Sequence, residues 1–369
     1  GSMEDVLSID RVDMPLVEGG EGRRYQISHV LTVGKDTHMV LCHDGITWDD
    51  CNSPAAFNLT VTQTGTSLDR LATPPVGVYT DGSHKPVLIG HKAYVFAGKA
   101  PGSSVHIYDT LQDEWETREF TAPPMYPEEH GGRDNFDYSM YEMNDDGEYT
   151  YEGLYSWMLP FSGRSSALCV SLQGHLVIVG GYDQACNPVM EGVSVYNPET
   201  DKWRVGDPSP LECYDDTHYT VVDDTLYVYP TWDTTVMSVY KLTLGQGLDK
   251  DDMGTDGGGL YGDKWETVGL ASLPCAIREE LLGVTQSVGR QVLSYDGNLT
   301  VRDKVSGETT VYQGPERTQD DEHTPLYVPI ASGESGMLFR EREDEGESSD
   351  GPLLVARALP EMLYPQSVE

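Results

Sequence analysis

The chain has 369 residues, of which 61 are Asp or Glu and 24 are Lys or Arg, so its formal charge is −37 at pH 7. This balance excludes direct nucleic-acid binding and binding to anionic membranes, because neutralising phosphates requires clustered Lys and Arg. No stretch reaches the roughly 18 consecutive apolar residues of a membrane-spanning helix, whereas 22 Tyr and 6 Trp supply apolar surface for a large core. We therefore expect a soluble, folded protein.

The cysteines form no Cys-x-x-Cys pair, which argues against a zinc ribbon and against a thioredoxin-like redox motif. We predict buried, reduced thiols and a protein of the cytoplasm or nucleus. Gly1 and Ser2 before Met3 are typical of an expression scar, so residues 1–3 are left out of the fold. The cysteines are Cys42, Cys51, Cys169, Cys186, Cys213 and Cys275.

Short β-branched and aromatic runs bounded by Gly, Pro, Asn and Asp recur along the chain, and helical periodicity is rare, so we predict an all-β fold. Five apolar runs stand out, and each is followed by a polar loop and a second alternating run. Counted from residues 38, 93, 175, 225 and 290, the runs start 55, 82, 50 and 65 residues apart. The five runs are 38–42, 93–97, 175–181, 225–229 and 290–295.

Three of these repeats continue into a strand that begins near a Trp and ends in Pro, which stops a strand because it cannot donate to the ladder. The three segments are DEWETREFTAPP with Trp115, DKWRVGDPSP with Trp203 and DKWETVGLASLP with Trp265.

The succession of Gly180-Gly181, Tyr196 and Trp203 resembles the signature of the kelch-repeat family, whose propeller blades repeat about every 50 residues. Tyr108 and Trp115 have the same seven-residue spacing as Tyr196 and Trp203. The Gly pair lets backbones approach closely where a Cβ would clash, and the Tyr and Trp rings fill the space between adjacent blades. We therefore expect these aromatic residues to be structural.

Strand counting predicts a six-bladed kelch-type β-propeller over residues 4–364. The N-terminal run 6–12 has no sheet of its own, and pairing it beside 352–359 would complete the last blade and protect two strand edges. The predicted blades are 25–75, 77–124, 165–210, 215–274, 280–315 and 323–360.

Two segments depart from the repeat. Residues 125–164 form an acidic insert between blades two and three, and its many aromatic residues predict that it orders over one face. Residues 245–263 are rich in Gly and nearly free of aromatic residues, which predicts a flexible loop.

We predict no catalytic residue, no metal site and no cofactor. Asp249 to Gly254 begins like a calcium loop, but Met253 and Leu260 stand where two oxygen ligands are needed, so we interpret it as a solvated loop. None of the ten His forms a His-x-x-x-His or His-Glu-x-x-His pair. Some kelch propellers, which the chain resembles, are enzymes, including a copper oxidase and sialic-acid mutarotases, and their ligands come from different blades.

In a propeller, the loops that join second to third strands emerge on one face, and kelch adaptors similar to this chain hold short peptides there. Three such loops carry an aromatic residue beside acids, and an exposed aromatic side chain costs solubility unless it packs or binds. Packing of Trp48 and Trp232 against neighbouring loops is the alternative. The predicted partner-binding residues are Trp48, Asp49, Asp50, Tyr182, Asp183, Trp232 and Asp233.

These features favour a noncatalytic protein-protein interaction module, an adaptor or scaffold, that binds a peptide or protein on the loop face. A partner rich in Lys and Arg would be attracted by acidic runs such as 341–347, although solubility and adaptation to salt explain such runs equally well. The alternative function is a propeller enzyme that acts on a sugar or small molecule in the central pocket.

Overall fold

The structure is a computed structural model, and strands account for most of what it describes. The described residues are 7–20, 22–45, 53–75, 84–99, 102–121, 142–143, 149–150, 166–181, 192–207, 209–214, 217–230, 238–245, 262–274, 277–278, 281, 285–287, 290–295, 298–303, 309–313, 326–332, 337–342 and 353–358.

Twenty-six strands are described, together with one 3-10 helix, Leu270–Ser272. The strands are β1 (Leu7–Val12), β2 (Gln26–Thr32), β3 (Thr37–His43), β4 (Pro54–Val61), β5 (Thr66–Arg70), β6 (Val87–Ile89), β7 (Lys92–Lys99), β8 (Gly102–Asp109), β9 (Glu114–Thr121), β10 (Glu142–Met143), β11 (Tyr149–Thr150), β12 (Leu168–Leu172), β13 (His175–Val179), β14 (Val193–Asn197), β15 (Lys202–Val205), β16 (His218–Val222), β17 (Thr225–Tyr229), β18 (Ser238–Thr243), β19 (Lys264–Gly269), β20 (Thr285–Ser287), β21 (Arg290–Tyr295), β22 (Asn298–Asp303), β23 (Thr309–Gln313), β24 (Leu326–Ser332), β25 (Met337–Arg342) and β26 (Leu353–Ala358).

Within the described residues, these strands form six four-stranded sheets and one two-stranded sheet. Sheets one to five are β2–β5, β6–β9, β12–β15, β16–β19 and β20–β23, each in chain order, and sheet six has the order β1-β26-β25-β24. The short β10–β11 pair lies within the predicted insert. All six predicted blade segments therefore correspond to a four-stranded sheet, and a ring of six blades remains a prediction.

The N-terminal strand completes sheet six, as the sequence predicted. β1 pairs antiparallel with β26, from Leu7 opposite Ala358 to Val12 opposite Leu353. The backbone groups on one edge of β26 are thereby satisfied by a strand from the other end of the chain.

The chain divides into two compact units. The first comprises Gly1–Tyr79, Thr110–Trp115 and Pro274–Glu369, and the second comprises Thr80–Asp109 and Glu116–Leu273. In the first unit, an apolar cluster joins sheet one to sheet six through residues such as Phe57 and Leu353. In the second unit, sheet three contributes to two clusters, one shared with sheet two and one shared with sheet four.

Burial decreases from the inner to the outer strands of a sheet. The second strands β3 and β13 are almost wholly buried, whereas the outermost strands β5 and β19 have no buried residue. A strand buried on both faces needs a near-continuous apolar sequence. The apolar runs detected in the sequence are therefore the second strands.

The kelch-signature residues have the structural roles that the sequence predicted. Tyr196 is fully buried, and its ring centroid lies 4.9 Å from that of Trp203, which in turn lies 5.9 Å from that of Phe96 in sheet two. Gly180 has a φ of +67°, and a Cβ there would overlap the carbonyl oxygen of Cys213. Only glycine fits this approach without strain.

Two Asp-x-Trp segments form hydrogen bonds to the backbone of one residue in the connection that follows the outermost strand of a neighbouring sheet. We call each of these pairs of bonds, one to the Asp carboxylate and one from the Trp indole, an Asp–Trp joint. In the first Asp–Trp joint, Asp113 Oδ1 accepts from Ala72 N at 2.8 Å and Trp115 Nε1 donates to Ala72 O at 3.0 Å. In the second Asp–Trp joint, Asp207 replaces Ala72: its N donates to Asp263 Oδ2 at 3.2 Å, and its O accepts from Trp265 Nε1 at 3.2 Å.

The third Asp-x-Trp segment makes a different set of bonds. Asp201 Oδ1 accepts from the Tyr196 hydroxyl at 2.7 Å and lies 3.4 Å from Arg118 Nη1. The residue two positions beyond β9, the equivalent of Ala72, is Pro123, which has no N–H to donate. The sequence therefore prevents the first hydrogen bond of a joint at this position.

Candidate functional site

All seven predicted partner-binding residues lie outside the described residues, so their assignment remains a prediction. The strand bounds do show which connections carry them: each of the three connections runs from a second to a third strand. Trp48, Asp49 and Asp50 lie between β3 and β4, Tyr182 and Asp183 lie between β13 and β14, and Trp232 and Asp233 lie between β17 and β18.

The described residues show how the chain enters the first of these loops. Asp44 is buried although it follows the end of β3, and its carbonyl oxygen accepts from Arg23 Nη1 at 3.4 Å. Gly45 has a φ of +73°, and its N donates to His43 Nδ1 at 3.1 Å. These bonds form a defined turn at the base of the loop that carries Trp48.

The base of the second loop is built by glycine backbone. Gly180 N donates to Gly192 O at 2.9 Å and Gly181 N donates to Cys213 O at 2.8 Å. The first bond closes the loop of residues 181–191, and the second fixes it to the connection between β15 and β16. The paired glycines of the kelch signature therefore position the loop that carries Tyr182.

A carboxylate occupies the same connection between β15 and β16. Glu212 Oε2 accepts from the Tyr214 hydroxyl at 2.6 Å, and Tyr214 N donates to Thr217 Oγ1 at 2.8 Å. Both Glu212 and Tyr214 are half-buried. The sequence analysis assigned no role to Glu212, although the short spacing Glu-x-Tyr was a signal for this pair.

Burial keeps one thiol and two imidazoles of the described region neutral. Cys42, Cys169 and Cys213 are buried thiols, as predicted, and burial raises the pKa of Cys213 to about 12. Burial lowers the pKa of both His38 and His106 to about 4. The other three cysteines lie outside the described residues. A neutral buried thiol is a poor nucleophile, so these groups serve packing.

Two further properties hold for the part of the chain that the structure describes. It contains no group of three or more His, Cys, Asp or Glu residues placed to hold a metal ion. It also contains no helix with the length and apolar character needed to cross a bilayer.

Comparison with known proteins identifies one family motif. Residues 163–210 match the model of the Kelch motif, which covers sheet three with its Gly180-Gly181 pair, Tyr196 and Trp203. No curated protein matches the chain. The resemblance to the kelch-repeat family predicted from the sequence is thereby confirmed.

Solved structures similar to the chain include three different proteins. The structure of YjhT is 10% identical with a TM-score of 0.45, covering 90% of this chain and 93% of YjhT. A fungal alcohol oxidase of the AA5 family in complex with copper is 9% identical with a TM-score of 0.44, covering 95% and 76%. Trypanosoma rangeli sialidase in complex with the inhibitor DANA is 10% identical with a TM-score of 0.47, covering 98% and 61%. Similarity this low assigns no activity or ligand.

The described residues thus define the class of this protein as a nearly all-β fold of four-stranded antiparallel sheets, with the kelch motif in sheet three and the N-terminal strand in sheet six.

Proposed function

We propose that the protein is a noncatalytic interaction module that binds a Lys- and Arg-rich peptide or protein segment on the loops that join second to third strands. One observation carries the proposal: an aromatic residue beside acids recurs in the connections that follow β3, β13 and β17. The strand aromatics have another role, since Tyr196 and Trp203 are buried between sheets.

Charge supports the same class of partner. With a formal charge of −37, the chain attracts cationic segments over distances well beyond hydrogen bonding, and the attraction weakens as salt shortens the screening length. An aromatic ring beside carboxylates can bind a guanidinium or ammonium group in two ways at once. The face of the ring makes a cation–π interaction, and the neighbouring carboxylate accepts a charge-assisted hydrogen bond.

Fluorescence anisotropy with a labelled peptide in which Lys and Arg alternate with Gly and Ser tests the proposal. Trp48→Ala, Tyr182→Ala and Trp232→Ala together should weaken binding at least about tenfold, because truncation of an anchoring aromatic residue costs more than about 1 kcal/mol. Circular dichroism should stay unchanged, since these residues lie outside the strands that the structure describes. Unchanged affinity would contradict the site.

A matched pair of charge variants separates a specific site from general attraction. Asp49→Asn, Asp183→Asn and Asp233→Asn should weaken binding more than a control set that removes the same three charges elsewhere. The control set, Asp69→Asn, Glu199→Gln and Asp223→Asn, changes exposed residues of β5 and of the β14–β15 and β16–β17 turns. Equal effects of the two sets would show attraction without a site, and binding that persists at high salt would contradict the electrostatic mechanism.

A further inference from the structure

Two buried histidines in different sheets share one arrangement, in which Nδ1 of the ring contacts a threonine hydroxyl on the neighbouring strand. His38 on β3 lies opposite Thr32 on β2, with 3.0 Å between Nδ1 and Oγ1. His106 on β8 lies 2.9 Å from Thr117 Oγ1 on β9. His38 is fully buried and His106 is 4% exposed. We refer to them as the two His–Thr pairs.

The surroundings of the second ring nitrogen, Nε2, determine the free-energy cost of protonating each imidazole. Nε2 of His38 and Nε2 of His106 have no hydrogen-bond partner among the described residues. A neutral imidazole carries a single N–H, and a hydroxyl at Nδ1 can either accept from it or donate to it. Protonation would place an N–H on both nitrogens and a charge in a buried site, and only one N–H would have an acceptor.

The charged groups around these rings are few and do not compensate for burial. Asp36, which precedes β3, raises the pKa of His38, but burial has the larger effect and lowers that pKa to about 4. Across the sheet, β4 places uncharged Leu59 opposite His38, and β7 places uncharged Val95 opposite His106.

On the other side of His106, the charges of β9 face away from the ring. Glu116 and Arg118 form an ion pair with 2.8 Å between Oε1 and Nε. They flank Thr117 in the strand and so point to the opposite face of the sheet. Burial therefore acts alone on His106 and lowers its pKa to about 4.

We propose that the two His–Thr pairs make this fold acid-labile: below about pH 6.5 an unfolded imidazole takes up a proton that the folded pairs exclude, so acid opens sheets one and two. The sign follows from linkage, because the folded state binds fewer protons than the unfolded state between about pH 6.5 and pH 4, and stability falls as pH falls through that range. Self-repulsion acts the other way. The chain carries a formal charge of −37, so acidification reduces repulsion and by itself would stabilise the folded state.

Urea unfolding at pH 7.5 and at pH 5.0 measures which effect is larger. Each excluded proton should raise the unfolding equilibrium constant about tenfold per pH unit below 6.5, or about a thousandfold for both pairs at pH 5. His38→Asn combined with His106→Asn should remove most of that change. His218→Asn is the matched control, because His218 begins β16 and is exposed, and it should keep the full pH dependence. Stability that stays constant or rises from pH 7.5 to 5.0 in the wild-type protein would overturn the proposal.

Amide hydrogen exchange of the wild-type protein gives a second test that holds even where the double variant does not fold. After correction for intrinsic exchange, β2–β3 and β8–β9 should lose protection between pH 7.5 and 5.0, whereas β16–β17 should lose less. Equal loss in all three regions would contradict opening at the His–Thr pairs.

Discussion

The two Asp–Trp joints make the same backbone hydrogen bonds but place their carboxylates in different surroundings. Asp113 is exposed, and the amide of Ala72 donates to it at 2.8 Å. Asp263 is buried, and besides its bond in the joint it accepts from Gly245 N at 2.8 Å and from both terminal nitrogens of Arg204 at 2.8 Å. One carboxylate thus caps a backbone group in contact with water, and the other also neutralises a buried guanidinium.

The difference shows that a repeated short segment does not carry a fixed energy. A typical hydrogen bond at an exposed site contributes about 1 kcal/mol, whereas breaking a buried ion pair leaves an uncompensated charge and costs about 3–5 kcal/mol. Arg204 and Asp263 have side chains that are 6% and 1% exposed. The Asp-x-Trp motif is the same in both joints. The partner of the carboxylate determines how much that carboxylate contributes to the free energy of unfolding.

Asp263→Ala should therefore have the largest effect of any change in either joint. The variant leaves the Arg204 guanidinium buried without its carboxylate and removes the acceptor of Gly245 N, so we expect a loss of about 3–5 kcal/mol in the free energy of unfolding. Urea unfolding followed by circular dichroism measures it. Arg204→Met with Asp263→Leu is the control and should recover part of the loss, because no charge then remains buried. A loss below about 1 kcal/mol would show that the ion pair does not distinguish the joints.

Trp115→Phe and Trp265→Phe test the part that the joints have in common. Each change removes one indole N–H donor from a backbone carbonyl and keeps most of the ring, so each should lower the free energy of unfolding by about 1 kcal/mol. The same urea experiment should give similar values for the two variants. A difference above about 2 kcal/mol between them would mean that the indole bonds, as well as the carboxylates, depend on their surroundings.

Asp113→Asn should have the smallest effect. The amide oxygen can still accept from Ala72 N, the side chain is exposed, and Asn tolerates the φ of +54° at this position. We expect a change within about 0.5 kcal/mol. Asp263→Asn provides the comparison, since it keeps an acceptor but withdraws the charge from Arg204. Equal costs for the two Asn variants would refute the distinction between the joints.

Much of the fold could be predicted from local patterns. The second strands β3 and β13 are buried on both faces, so runs 38–42 and 175–181 are apolar almost throughout and mark the sheets that contain them. Sheets one and five have neither paired glycines nor the Tyr and Trp pair, yet their alternating runs were enough to predict strands there. The closing strand was predictable because an unpaired strand at one end of the chain matches an unpaired edge at the other.

The sequence analysis did not predict the two Asp–Trp joints, although the Asp-x-Trp motif is present in the sequence. Each of the three Trp-led strands has an Asp two residues before its Trp. The partners of two of these segments lie far away in the sequence: Ala72 is 41 residues from Asp113, and Asp207 is 56 residues from Asp263. No local spacing identifies such a partner. The sequence also predicts that Asp263 ends a flexible Gly-rich loop, whereas its side chain is buried.

For the candidate site, too, some features were predictable from the sequence and others required the structure. The recurrence of an aromatic residue beside acids, and its position after second strands, came from the sequence. The bases of two loops came from the structure: the turn at Asp44 and Gly45, and the bonds of Gly180 and Gly181 to Gly192 and Cys213. Composition could not reveal that a carbonyl of one connection fixes the loop of another sheet.

Local chemistry in the sequence determined the strands, their apolar faces, the kelch signature of sheet three and the net charge, because each depends on residues close together in the chain. The tertiary structure alone decided which carboxylate meets a guanidinium, which histidine is sealed from water and which glycine lies against a distant carbonyl. Those outcomes depend on the desolvation of groups brought together from far apart in the sequence, and desolvation sets the energy of a polar group more strongly than its identity does.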